Sequence, residues 1–338
     1  MTNASRVMLA ALALCGTSAA LAQSNVSLYG RVNTTVENVK VGNSKATQMN
    51  SNGSFIGFRG TEDLGNGLKA GFQLESQFGS DDGSGPMNFT RHSELNLSGN
   101  FGKLRLGTFN AASYLATADY ISMHNHDTGL SSDALYMYTM REDNKIAYVT
   151  PNIGGFTAEV QHSFHEQSTG GRNAWDLALN YGNGPLGLGL GYSNSPTSLL
   201  GLDTAKGQQI TARASYAIGN LTLGAYYQYA KLQDAVEGGT TAVGDVKRNA
   251  ARLSAMYAVG ASEFHANVGR ADKVKINGET VAGTAATQWT LGYNHNLSKR
   301  TKAYGYFTKI SNGSDVGYRV SNDGDDLSSI AIGIRHLF

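Results

Sequence analysis

From about residue 26 to the carboxyl end, apolar and polar positions alternate with a period of two, in runs of roughly 8–14 residues separated by turn chemistry. In the last run, Ile330, Ile332, Ile334, His336 and Phe338 fall on one face, and Ala331, Gly333, Arg335 and Leu337 on the other. In Leu221 to Leu232, Leu221, Leu223, Ala225, Tyr227 and Tyr229 oppose Thr222, Gly224, Tyr226 and Gln228. Segments Ala174–Gly182 and Gln208–Ile218 repeat the pattern. A helix would need apolar residues at i, i+3, i+4 and i+7, and these runs lack that spacing.

The alternation predicts about sixteen strands, near 26–40, 54–62, 67–78, 91–99, 102–110, 144–151, 155–165, 173–182, 186–194, 207–219, 221–232, 246–259, 262–274, 284–297, 301–311 and 327–338. Short turns such as Asn66-Gly67, Asn183-Gly184, Gly219-Asn220 and Leu297-Ser298-Lys299-Arg300 alternate with longer polar links at 79–90, 195–206, 233–245 and 312–326. Short turns on one rim and long loops on the other mark a transmembrane β-barrel. An even strand number lets the first and last strands pair, so no edge is left open. The longest link, Ala111 to Asp143, carries Tyr114, Tyr120, Tyr136 and Tyr138 and a short helical stretch over 112–120. A loop of that length and composition is expected to be folded and functional, and folded inward it would narrow the open lumen of a sixteen-strand barrel.

Composition fits this picture. The chain has 42 Gly, 17 Tyr and 12 Phe against 4 Pro, and beyond the amino-terminal region no run approaches the ~18–20 apolar residues of a spanning helix. Only helices and closed barrels satisfy every backbone group in a bilayer. Aromatics at the expected strand ends (Tyr29, Tyr148, Tyr192, Tyr257, Tyr293, Phe338) suit an interfacial girdle, although aromatics favour any sheet.

Residues 1–22 read as a cleaved signal peptide: Arg6 is the basic n-region, Val7 to Cys15 the apolar core, and Ala20-Leu21-Ala22 the small-x-small site, with cleavage between Ala22 and Gln23. The alternative, lipid attachment at Cys15, puts the bulky Leu14 where a small residue is wanted. Cleavage removes the single cysteine, and with it disulfide, thiol-nucleophile and thiolate-metal chemistry. It also turns 27 basic and 26 acidic residues into 26 of each by removing Arg6. No basic excess points to nucleic acid.

Residue parity assigns the charges. If Leu28, Phe58, Leu68, Phe72, Leu104 and Leu106 face lipid, then Arg31, Arg59, Lys69, Glu75, Lys103 and Arg105 face the interior, joined later by Glu159, Asp176, Arg213, Arg252 and Arg335. A lipid-facing charge at mid-depth would cost about 2–4 kcal/mol. Asp119, Asp127 and Asp133 in the long loop are the opposing acidic candidates. Other chemistry is thin. Gly182-Asn183-Gly184-Pro185-Leu186-Gly187 spells a dinucleotide fingerprint without its βαβ unit and reads as a hairpin turn. His124-Asn125-His126-Asp127 lacks further metal ligands, so no metal or cofactor is expected. Ser51-Asn52-Gly53 and Ser311-Asn312-Gly313 lack the preceding histidine of a barrel phospholipase, and no Ser–His–Asp set can be nominated.

The chain resembles the β-proteobacterial general porins along its whole mature length. The resemblance is carried by Val26-Ser27-Leu28-Tyr29-Gly30, by the run from Ser54-Phe55-Ile56-Gly57-Phe58-Arg59-Gly60 to Lys69-Ala70, and by Phe101-Gly102-Lys103-Leu104-Arg105-Leu106-Gly107. Asn144 to Phe156 and the closing Gly333-Ile334-Arg335-His336-Leu337-Phe338 extend it. It implies a homotrimer of sixteen-stranded channels for small hydrophilic solutes and ions, with loop 111–143 as the constriction. It also implies contact with outer-membrane lipid and lipopolysaccharide. The terminal alternation Ile330, Ile332, Ile334, His336, Phe338 then resembles the signal read by the barrel-assembly machinery. Where relatives often have Gly-Arg-Gln, this chain has Gly107-Thr108-Phe109-Asn110, so one familiar basic position is missing. The excess of basic over acidic residues on the expected lumen face predicts weak anion preference. A substrate-specific channel or adhesin, and a barrel enzyme, are the competing readings.

Overall fold

The computed structural model describes residues 25–118, 129–139, 141–166 and 172–338; the expected signal peptide, with Ala22 and Gln23, lies outside them. Among the described residues the strands are β1 (Asn25–Val41), β2 (Ser44–Ser51), β3 (Phe55–Gly65), β4 (Leu68–Gln77), β5 (His92–Gly99), β6 (Gly102–Asn110), β7 (Arg141–Val149), β8 (Phe156–Ser163), β9 (Ala174–Asn183) and β10 (Leu186–Leu199). They continue as β11 (Leu202–Ile218), β12 (Leu221–Glu237), β13 (Thr241–Val259), β14 (Ser262–Ala271), β15 (Lys275–Ile276), β16 (Glu279–Thr280), β17 (Ala286–Asn296), β18 (Thr301–Asn312) and β19 (Leu327–Leu337). Each pairs antiparallel with its neighbours. β2 and β3 are one stave broken at 52–54, since both lie against β1. β15 and β16 form a small hairpin on the connection between β14 and β17, which pair directly. Sixteen staves therefore close the barrel.

Closure is made by β1 and β19, from Arg31 opposite Leu337 to Val41 opposite Leu327. Phe338 completes it through two backbone hydrogen bonds with Gly30, 3.1 and 3.2 Å long. Gly30 points outward and its missing side chain is needed: a Cβ there would sit 2.5 Å from the Phe338 ring. The short turns have the expected chemistry, as at Asn66-Gly67, where both residues take positive φ (52° and 79°) as a tight hairpin requires. The letters of the dinucleotide fingerprint are the β9–β10 hairpin.

The exterior is apolar and the interior polar, the inverse of a water-soluble sandwich. Ile332 is 70 % and Leu253 63 % exposed, whereas Glu37, Gln228, Gln288 and Thr308 are fully covered on the inner face. That inversion follows from the alternation. A period of two puts every second side chain inward, and the bilayer accepts only the apolar set.

Several expected boundaries are corrected. Links 195–206 and 233–245 are not long loops: β10 and β11 run on to meet at Leu200-Gly201, and β12 and β13 extend to a turn at 238–240. Their polar residues hid them, because a hairpin that leaves the bilayer keeps its ladder but no longer needs an apolar face. The same reason hid β2, whose residues are mostly exposed. Residues 141–143 belong to β7, so the long loop is 111–140. Tyr29 is not part of an outer girdle. It shares the inner face with Glu75, to which its hydroxyl donates a 2.8 Å hydrogen bond. Tyr148, Tyr192, Tyr257 and Tyr293 share the outer face with Leu104, Leu177, Phe264 and neighbouring apolar side chains.

Candidate functional site

The long loop leaves β6 and turns at once into helix α1 (Ala112–Thr117), which lies against the inner face of β9 to β11. The sequence prepares that bed. In Leu186-Gly187-Leu188-Gly189-Leu190-Gly191 every leucine faces out and every glycine faces in. A Cβ on Gly189 would come 2.2 Å from the Ala116 carbonyl oxygen, and one on Gly191 would reach Ser113. Asp176 of β9 accepts hydrogen bonds from the Ser113 amide at 2.7 Å and from its hydroxyl. Arg213 donates to the Ala116 carbonyl at 3.0 Å. Thr117 bonds Thr211 at 3.0 Å.

The returning half of the loop is fastened in the same way to β11, β12, β13 and β17. Gln228 holds Met137 at both backbone groups, at 2.9 and 2.7 Å. Gln288 accepts from the Ala134 amide and donates to the Ser132 carbonyl, each at 3.0 Å. Thr139 receives a bond from Gln209, also at 3.0 Å. Tyr136 packs edge-on against Tyr226 and donates to the Ala251 carbonyl. Burial pushes the Tyr136 and Tyr138 hydroxyls above the ordinary tyrosine value, and the nearby Asp133 carboxylate adds to it; both stay protonated. Each wall side chain named is one that parity sends inward.

Asp133 was expected to oppose a basic wall. The structure gives it another place: its carboxylate pairs with Arg252 of β13, and both side chains are covered. Arg252 is further held by Asn267 at 2.8 Å and Gln288 at 3.1 Å. Asp133 is thus a tether of the loop to the wall behind it. Asp119 and Asp127 lie outside the described residues, as do His124 and His126.

The facing wall, β3 to β8 with the start of β1, carries other expected charges. Arg31 donates to the Gly53 carbonyl at 3.0 and 2.7 Å. Arg59 lies over the Tyr29 ring at 4.7 Å. Glu75 accepts from Tyr29, from Gln73 at 2.9 Å and from Arg91 at 2.9 Å. Arg105 spans Glu94 at 2.7 Å and Glu159 at 2.5 Å, its guanidinium over Phe109. Lys145 covers the same ring and donates to Gln161 at 2.8 Å. Lys69 shares the inward parity but sits opposite Asp63, next to the Asn66-Gly67 turn. It belongs to the short-turn rim and is not grouped with the others.

Arg91, Glu94 and Lys145 were not singled out from sequence. Lys145 and Glu94 could have been, by continuing the parity of Ile146 and Leu95. Arg91 could not, because it precedes β5 and only the folded loop turns it toward Glu75. Among the described residues no group of three or more His, Cys, Asp or Glu is disposed to hold a metal ion.

A closed sixteen-stave barrel with an apolar belt, a polar lining and a loop fastened to its inner wall is an outer-membrane channel of the porin class. The sequence family of Gram-negative porins matches residues 9–315, and the chain belongs to that family. It is 36 % identical to the outer membrane porin protein 32 of Delftia acidovorans, over 99 % of both chains. It is 28 % identical to the major outer membrane protein P.IB of Neisseria sicca, over 94 % of this chain and 96 % of the other. Among solved structures, the anion-selective porin from Comamonas acidovorans superposes with a TM-score of 0.78 at 31 % identity, covering 93 % of this chain and all of that one. The trimer form of OmpT from Vibrio cholerae shares the fold alone, with a TM-score of 0.71 at 17 % identity over 93 % of this chain. The protein is an outer-membrane porin, a passive diffusion channel for small hydrophilic solutes and ions.

Proposed function

We propose that loop 111–140 forms the constriction of this porin, with permeating solutes passing between the loop and the charged wall of Arg31, Arg59, Glu75 and Arg105. The observation that supports this is the run of hydrogen bonds between the described loop residues, 111–118 and 129–139, and the inner wall of β9 to β17. The facing wall has more cations than carboxylates, counting Arg91 and Lys145 with the arginines above against Glu75, Glu94 and Glu159. Rings and ladders of one charge set ion preference, so the channel favours anions weakly. The anion-selective relative from Comamonas supports that reading. Asp119 and Asp127 supply the acidic counterpart by sequence alone.

Three further assignments complete the reading. The working unit is a homotrimer in outer-membrane lipid and lipopolysaccharide, supported by the trimeric form recorded for OmpT. Residues 1–22 direct export, with cleavage between Ala22 and Gln23. The outward alternation Ile330, Ile332, Ile334, His336 and Phe338 is the mark for the barrel-assembly machinery. The protein is a channel and not an enzyme. Planar-bilayer recording of the purified protein in a potassium chloride gradient tests the central claim. A reversal potential on the chloride side with non-saturating flux of small sugars is expected. A clear potassium preference overturns the anion reading, and saturation by a single sugar replaces the general porin with a specific channel.

A further inference from the structure

On the outer face of β12 to β15, near the long-loop rim, three lysines stand side by side. Lys231 is directly opposite Lys247, and Lys247 is directly opposite Lys275. Like charges opposite one another in a sheet destabilise it, and here two such pairs follow in succession. Arg270 and Lys273 adjoin them, and with Lys247, Lys275 and Asp272 they enclose a polar hollow of about 420 Å3. The carboxylates nearby do not neutralise it. Asp245 pairs with Lys231 at 3.0 Å, and Asp272 stands 3.7 Å from Arg270 with both side chains more than half exposed. Lys247, Lys273 and Lys275 have no ion pair among the described residues.

The depth of this cluster says what meets it. At the short-turn rim, Tyr257, Phe264 and Tyr293 line up across β13, β14 and β17. Above them come the outward Leu253, Val268 and Leu291. From Tyr257 to Lys247, a rise of ~3.4 Å per residue and a tilt of ~40° give about 26 Å along the membrane normal, the height of a barrel's apolar belt. The cations therefore begin where hydrocarbon ends, in the headgroup layer of the leaflet facing the long loops.

We propose that this hollow binds the phosphate groups of a phosphorylated glycolipid headgroup in the outer leaflet, with Lys247, Lys275, Arg270 and Lys273 as its ligands. The bound phosphates offset the repulsion that the cross-strand lysine pairs otherwise carry. The inference rests on the outer-membrane placement and is independent of the constriction.

The test uses the full-length protein in detergent and compares wild type with K247Q/K275Q and with K275Q alone, whose site is in the small hairpin outside the barrel wall. The probe is bis-phosphorylated lipid A, with its dephosphorylated form and inorganic phosphate as separate arms. At about 1 kcal/mol per cation near a charged headgroup, the double variant should bind the phosphorylated lipid about 30-fold more weakly. Single-channel conductance should stay at the wild-type value, and without lipid the double variant should melt at a higher temperature. Equal binding by wild type and both variants overturns the proposal. Equal binding of the dephosphorylated lipid assigns affinity to the acyl chains and overturns it too. Inorganic phosphate binding as tightly as the lipid would make this a free-anion site and reject the lipid.

Discussion

The two halves of the barrel lining obey the same parity rule and are used in opposite ways. On β9 to β17 the inward residues that meet the loop are mostly glycines, amides and hydroxyls, with the charges of Asp176, Arg213 and Arg252 each tied to it. On β3 to β8 they are arginines and glutamates paired mainly among themselves and stacked on Tyr29, Phe55 and Phe109. A charge pressed between two protein surfaces must be matched closely, because its desolvation is costly. A charge facing a water-filled lumen carries no such demand, and its field reaches the permeating ion. Arg252 is of the first kind; Arg105, 12 % exposed and matched by Glu94 and Glu159, lies between the two.

Breaking the seated half should cost most. Arg252→Met leaves Asp133 covered without its guanidinium, at about 3–5 kcal/mol for a broken buried pair. Limited proteolysis within 129–139 should rise sharply and unitary conductance should change. Unaltered digestion would mean that the loop is not held there. Gly189→Val comes next: its side chain crowds the Ala116 carbonyl, and overpacking of about 1–3 kcal/mol should lower the melting temperature and disturb the loop without touching a charge.

On the facing wall the effects are smaller and electrical. Arg105→Gln leaves Glu94 and Glu159 without their shared cation. One charge at ~10 Å in water is worth about 0.4 kcal/mol for each ion, with opposite sign for chloride and potassium, so their permeability ratio should fall by about fourfold, and less at high salt. Because Glu94 and Glu159 are only 4 % and 16 % exposed, stability should fall as well, though by less than for Arg252→Met. Lys69→Gln, at the short-turn rim, should leave the reversal potential unchanged; a shift as large as that of Arg105→Gln would contradict its placement.

Much of this fold was legible because a barrel wall writes its period directly into the sequence. The alternation of Ile330 to Phe338 or Leu221 to Tyr229 needs no partner to be read, and it gave both the staves and the facing of Arg31, Arg59 and Arg105. It failed where the constraint ends. Beyond the bilayer the outward residues of the β10 to β13 hairpins and most of β2 meet water instead of lipid, so they are polar and read as loop, although Leu199, Leu232, Ala235 and Val246 are buried together on the inner side. The inward glycines at 187, 189 and 191 were visible as letters, but an absent side chain says only that space is left.

What fills that space was decided by the folded chain. The fate of Asp133 depends on Arg252, far along the sequence and on a stave whose inner face the loop crosses. Tyr29 follows Arg31 inward by parity, but its partner Glu75 is set by the register, and Arg91 joins the wall through a loop with no period. The sequence alone determined a closed membrane barrel, since lipid demands apolar residues at every second position. Which inward charges are sealed and which face the lumen was decided only in three dimensions, because it depends on where an aperiodic loop comes to rest.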